Sequence, residues 1–99
     1  MKFAVIAEYD PNDPKVAEVR PVHRRYLTEL HKKGKLALSG PLEGGGALIV
    51  LEADSMQEAE ALVQADPFVT QGVFRSQVIR PWTPVFINRD ILPPQFDGT

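Results

Sequence analysis

The chain contains no cysteine, and this absence removes a large block of chemistry. Disulfide cross-links, thiolate nucleophiles and cysteine-ligated zinc are all excluded. An excess of either charge is missing too. Eleven Lys and Arg stand against thirteen Asp and Glu, a formal net charge of −2, so there is no electrostatic footprint for nucleic acid and no polybasic membrane anchor. No apolar run approaches bilayer length, and the opening residues 1–7 are too short and too soon charged to act as a signal peptide. A soluble, cytoplasmic protein is the expectation. Imidazoles are scarce, with His23 and His31 the only two.

What is present is an ordinary globular balance. Over 99 residues, 43% are hydrophobic and 24% charged, which suits one domain with a modest core. Arg24, Arg25, Lys32, Lys33 and Lys35 gather in one stretch, but Glu18 and Glu29 interrupt them, which reads as a solvated helix face.

The element order follows from periodicity and punctuation. Residues 3–9 are apolar and β-prone, a buried strand broken by Asp10-Pro11-Asn12-Asp13-Pro14. Asp13-Pro14 then opens a helix that runs to about Lys33 and stops at Gly34, with Pro21 predicted to kink it or restart it. Residues 36–39 read as a second strand ended by Gly40-Pro41-Leu42, and Glu43-Gly44-Gly45-Gly46 as a hairpin connection into a third strand, 47–51. Ser55 and Glu58 form a capping box that opens a second helix, closed by Asp66-Pro67. Residues 73–80 are the last strand, in which neither alternating set of side chains is purely apolar.

Strand, helix, strand, strand, helix, strand is the ferredoxin-like α+β order, an antiparallel sheet with both helices on one face. Strands 1 and 3 are apolar on both sides, so the second face also needs cover, and a symmetric homodimer supplies it. The stretch 84–99 carries Val85, Phe86, Ile87, Ile91, Leu92 and Phe96 beside Pro84, Pro93 and Pro94. It is expected to pack on the partner subunit or cover a site mouth.

Two polar residues fall on inward-facing helix surfaces. His23 lies in the stripe Val16, Val19, His23, Leu27, Leu30, and Asp66 follows Ala59, Leu62 and Val63. A carboxylate at a helix C-terminus meets the negative end of the dipole, and a nearby imidazole would offset that. Such a couple holds the imidazole in one tautomer and leaves its other nitrogen free to move a substrate proton. Ser39-Gly40-Pro41 is a second candidate, either a plain turn or a loop presenting a hydroxyl and amides to a substrate oxygen. Gly44-Gly45-Gly46 opens a strand rather than a helix, so the phosphate-loop geometry is missing. His31 is expected to be exposed. Glu8, Tyr9, Arg80 and Trp82 end strands and could line a cavity. His23, Asp66 and Glu8 form no dense ligand motif, and no metal or cofactor is expected.

These residues carry a family resemblance. Arg20-Pro21-Val22-His23 with Tyr26-Leu27, Gly34-Lys35-Leu36 leading to Ser39-Gly40-Pro41-Leu42, and the helix start Ser55-Met56-Gln57-Glu58-Ala59 all contribute. Asp66-Pro67-Phe68 with Gly72-Val73 and Arg80-Pro81-Trp82 complete the set. In this order they resemble the YCII family over about residues 1–83. The resemblance implies a dimeric α+β barrel of ferredoxin-like topology and a His-Asp couple at His23 and Asp66. It further implies that Ser39, Gly40, Pro41 and Phe68 contact the substrate. One characterised type in the family looks like a dehydrochlorinase acting on a chlorinated hydroxyquinol in aromatic degradation. A cofactor-free lyase or isomerase acting on a small cyclic or phenolic molecule is therefore expected. The alternatives are a dimer that binds a small ligand without turning it over and an accessory dimer with no ligand.

Overall fold

The computed structural model describes residues 1–92, running β1 (Lys2–Glu8), α1 (Lys15–Lys32), β2 (Leu36–Pro41), β3 (Ala47–Glu52), α2 (Met56–Gln64), α3 (Pro67–Thr70) and β4 (Ser76–Trp82). The strands form one antiparallel sheet in the order β2-β3-β1-β4, the ferredoxin-like α+β arrangement. Only the single turn α3 was not expected.

Period-two alternation sorts β1 between two environments. Phe3, Val5 and Ala7 face the helices and are at most 1% exposed. Their register partners Leu51 and Ile49 on β3, with Ile79 on β4, continue that face. Val16, Val19 and Leu30 of α1 and Val63 of α2 pack on it. Pro21 does not end α1, which continues unbroken for 18 residues. The carbonyl that loses its partner belongs to Ala17, which is exposed, so water can serve it. Gly34 at φ 72° closes the helix as expected, its N–H donating to His31 O while Lys35 N–H reaches back to Leu30 O.

The last strand begins later than the apolar pattern predicts. Gly72 turns the chain at φ 73°, and the N–H groups of Val73 and Phe74 both donate to Phe68 O, at 2.9 and 2.7 Å. Two strand-prone residues therefore plug the core from a loop, and β4 starts at Ser76. Similarly, β2 does not stop at Ser39 but runs through Pro41, after a register shift between Leu36 and Leu38.

Among the described residues no helix covers the second face of the sheet. A row of Gly40, Leu48, Ile6 and Val78 crosses all four strands in register, beside Leu38, Val50 and Ala4. Ile6 is 41% exposed and Val78 58%. After β4 the chain leaves Val85, Phe86, Ile87, Ile91 and Leu92 exposed as well. Pro93, Pro94 and Phe96 lie outside the described residues. No helix among the described residues is long and apolar enough to cross a membrane.

Candidate active site

The helix layer encloses two buried polar residues, His23 at 8% exposure and Asp66 at 3%. They touch: His23 Nδ1 donates to Asp66 Oδ1 at 2.7 Å across 43 positions of sequence. A carboxylate only accepts, so this bond puts a proton on Nδ1, and in the neutral ring Nε2 is then the acceptor. Among the described residues nothing bonds Nε2. About a tenth of the His23 side chain remains exposed, so the ring is not sealed off.

Asp66 sits differently from the sequence expectation. It does not merely close α2, which ends at Gln64; it is the N-cap of α3, and its Oδ1 also accepts from Phe68 N at 2.8 Å. Asp-Pro is both a stop for one helix and a start for the next, because proline suits the first helical position. The backbone N–H of Phe68 thus shares with His23 the task of compensating the carboxylate.

Two aromatic rings contact the imidazole, and a third packs behind them. Phe68 stacks on the His23 imidazole with centroids 3.8 Å apart and planes 3° from parallel. Phe74 meets both rings edge-on, at 6.0 Å from His23 and 5.2 Å from Phe68. Tyr9 stacks on Phe74 and meets Phe68 edge-on. Phe68 therefore holds the imidazole plane and anchors the carboxylate by its amide, and it is itself only 4% exposed. Tyr26, one turn past His23, donates its hydroxyl to Leu62 O at 2.6 Å. Burial, and secondarily the charge of Asp66, raise its phenol above the ordinary 10.0.

Sequence reasoning missed Phe74 and gave Tyr26 no role of its own. Phe74 was hidden by its strand-like neighbourhood. Tyr26 carried a usable signal, an aromatic three residues after a buried histidine on the same helix.

The Ser39-Gly40-Pro41 element lies on the edge strand. Pairing with Ile49 puts Ser39 on the helix-facing side, and Ser39 is exposed. Gly40 pairs with Leu48 and faces the other way, and Pro41 pairs with Ala47. None of the three lines the cavity beside the couple. That cavity is only about 10 Å³, bounded by Val5, Tyr26, Ile49, Leu62, Asp66 and Phe74 among others. It has room for roughly one water and not for a ring. Glu8 alternates onto the opposite face of β1 from Ala7, away from His23, and its carboxylate accepts from Ser76 Oγ at 3.4 Å. Among the described residues no group of three or more His, Asp or Glu side chains comes together as a metal cluster. His31 is exposed near the end of α1. Arg80 and Trp82 lie on the helix-free face, and Trp82 borders a separate open recess of about 220 Å³ with Met1, Lys2 and Pro81.

This geometry has relatives. Residues 1–83 match the YCII-related domain. Protein YciI of Escherichia coli O6:H1 is 32% identical over 79 residues, spanning 69% of this chain and 81% of its own length. An uncharacterized protein of Haemophilus influenzae is 26% identical, over 87% of this chain and all of its own. Among solved structures, the 5-chloro-2-hydroxyhydroquinone dehydrochlorinase TftG of Burkholderia phenoliruptrix AC1100, in complex with 2,5-dihydroxybenzoquinone, superposes with a TM-score of 0.75. It is 24% identical and covers 84% of this chain and 94% of its own, a likeness of fold. With the family model spanning most of the sequence, the chain belongs to the YCII family.

Proposed function

We propose that the chain is a small cofactor-independent lyase or isomerase that moves protons on a small cyclic or phenolic substrate. One observation carries this: the buried 2.7 Å bond between His23 Nδ1 and Asp66 Oδ1, which fixes the tautomer and leaves Nε2 without a described partner. Nε2 is the general base and, after taking a proton, the general acid. Asp66 orients the ring and stabilises the imidazolium that forms. Ser39, on the helix-facing side of the edge strand, hydrogen-bonds a substrate oxygen once the site has opened to admit a ring, and Phe68 braces the imidazole from the side away from the substrate.

The named activity of TftG suggests a chlorinated hydroxyquinol as the compound to try first. Loss of HCl from such a ring balances without an external oxidant or reductant. Two hydroxyl protons leave, one proton is delivered to the carbon that gives up chloride, and a quinone results. That sequence needs a single residue able to accept and return protons, which a tautomer-locked imidazole provides.

The working unit in this proposal is a homodimer joined through the helix-free sheet face, a self-complementary surface with Ile6 and Val78 at its centre. Residues 84–92 pack on the partner. The cavity of about 10 Å³ beside the couple favours assembly or opening before a ring is bound.

The test is chloride release and quinone absorbance with chlorinated hydroxyquinols. Replacing His23→Ala and Asp66→Asn should each lower turnover by about 10²-fold or more while leaving the oligomer intact. Undiminished turnover in both variants would overturn the mechanism. A ligand that raises the melting temperature without being turned over would instead point to a binding module.

A further inference from the structure

We infer that Tyr26 is a positioning residue for the couple, holding the α2–α3 corner at the height where Asp66 meets His23. This rests on the reading that His23 and Asp66 do the chemistry.

The argument starts from the end of α2. The last carbonyls of a helix have no partner within it and must find one elsewhere. Leu62 O would ordinarily accept from Asp66 N, four residues on, but Asp66 N donates to Val63 O at 3.1 Å. The other nearby donor, Ala65 N, goes to Ala61 O at 3.1 Å, and Pro67 has no N–H to give. The tight turn that swings Asp66 toward His23 therefore orphans Leu62 O. The Tyr26 hydroxyl fills that vacancy at 2.6 Å.

The result is a two-point clamp. On α1, His23 and Tyr26 are three residues apart on one face. On the other side, Asp66 and Leu62 are four apart, about one helical turn. One bond alone would let α2 rotate or slide; two bonds a turn apart fix both. Tyr26 also lines the small cavity together with Leu62 and Asp66, so its ring fills the same junction. The phenol, raised above its ordinary value by burial and then by Asp66, stays protonated and remains a donor, which suits holding rather than proton transfer.

Tyr26→Phe removes the donor and keeps the ring. The readout is the His23 imidazole in the intact chain with ¹⁵N-labelled histidine, His31 serving as the exposed internal reference. In the natural chain the proton should sit on Nδ1 and exchange slowly. In Tyr26→Phe that exchange should rise about tenfold, the factor one buried hydrogen bond is worth, with the second tautomer becoming visible. Phe3→Leu, in a separate part of the core with Ala53 and Ala59, is the control for lost stability. If Tyr26→Phe changes the imidazole no more than Phe3→Leu does, the positioning role is overturned while the couple stands. If the natural chain already shows His23 protonated on Nε2, the couple itself fails and the role falls with it. Should Tyr26→Phe not fold, 3-fluorotyrosine in a Tyr9→Phe chain, where Tyr26 is the one tyrosine left, supplies a stronger donor that must slow the exchange relative to unlabelled Tyr9→Phe, and no slowing overturns the proposal.

Discussion

The two faces of the sheet are cut from the same strands and meet different fates. On the helix side Phe3, Val5 and Leu51 are no more than 2% exposed, and the enclosure is tight enough to hold a histidine and an aspartate bonded to each other. On the other side Ile6 and Val78 remain 41% and 58% exposed. A polar couple can be kept in a fixed geometry only where the surrounding shell is complete. The chain completes one shell by itself and leaves Ile6 and Val78 exposed on the other.

The largest effect expected from breaking this contrast is on the finished side. Phe3→Ala should cost about 4 kcal/mol of unfolding free energy in urea titrations, since a buried ring leaves a cavity behind. A loss below about 1 kcal/mol would mean the helix-side shell is far looser than described. Asp66→Ala comes next, at about 3 kcal/mol, because it strands two buried donors, His23 Nδ1 and Phe68 N. A neutral result in the same titration would show that the couple contributes nothing to folding. On the open side, Val78→Lys should leave the fold within about 0.5 kcal/mol, and the proposed homodimer predicts that it shifts the molecule toward monomer in sedimentation. An unchanged dimer would move the interface elsewhere.

The smallest effect is electrostatic. Glu52 is held at about 2, below its ordinary 4.5, first by the N-terminal ammonium and then by Lys2, where β1 begins beside the end of β3. A depressed carboxyl stabilises the fold fully above about 4.5, and that contribution disappears as pH falls toward 2. The gap in melting temperature between the natural chain and Glu52→Gln should therefore be present at pH 7 and close in that acid window. A gap that persists at the acid end would refute the pairing. Exposure and salt screening keep it small.

The sequence made the sealed side more legible than the open one. Continuous apolar runs placed β1 and β3, the three- and four-residue stripe put His23 inward, and Gly34 marked the end of α1. What it misassigned were residues with two local meanings. Asp66-Pro67 ends one helix and caps the next, and choosing needs the bond to Phe68 N. Val73 and Phe74 favour strands, yet Gly72 turns them inward as a plug. Glu58 was legible as half of a capping box, and Ser55 Oγ does accept from Glu58 N. Its carboxylate, however, also takes the ammonium of Lys35 at 2.7 Å, a tertiary partner no local pattern encodes. Contact between His23 and Asp66 was equally beyond periodicity, which fixes direction and not distance.

The place of β1 has a consequence for how this protein is made. Of the sheet's four strands β1 is made first, yet it lies between β3 and β4, and its second edge is answered by residues 76–82. Until those residues emerge, a nascent chain carries an apolar strand with one row of amides and carbonyls unpaired, the kind of edge that recruits other chains. Synthesis halted anywhere before Ser76 should therefore yield an aggregating fragment, and folding has to wait for nearly the whole domain.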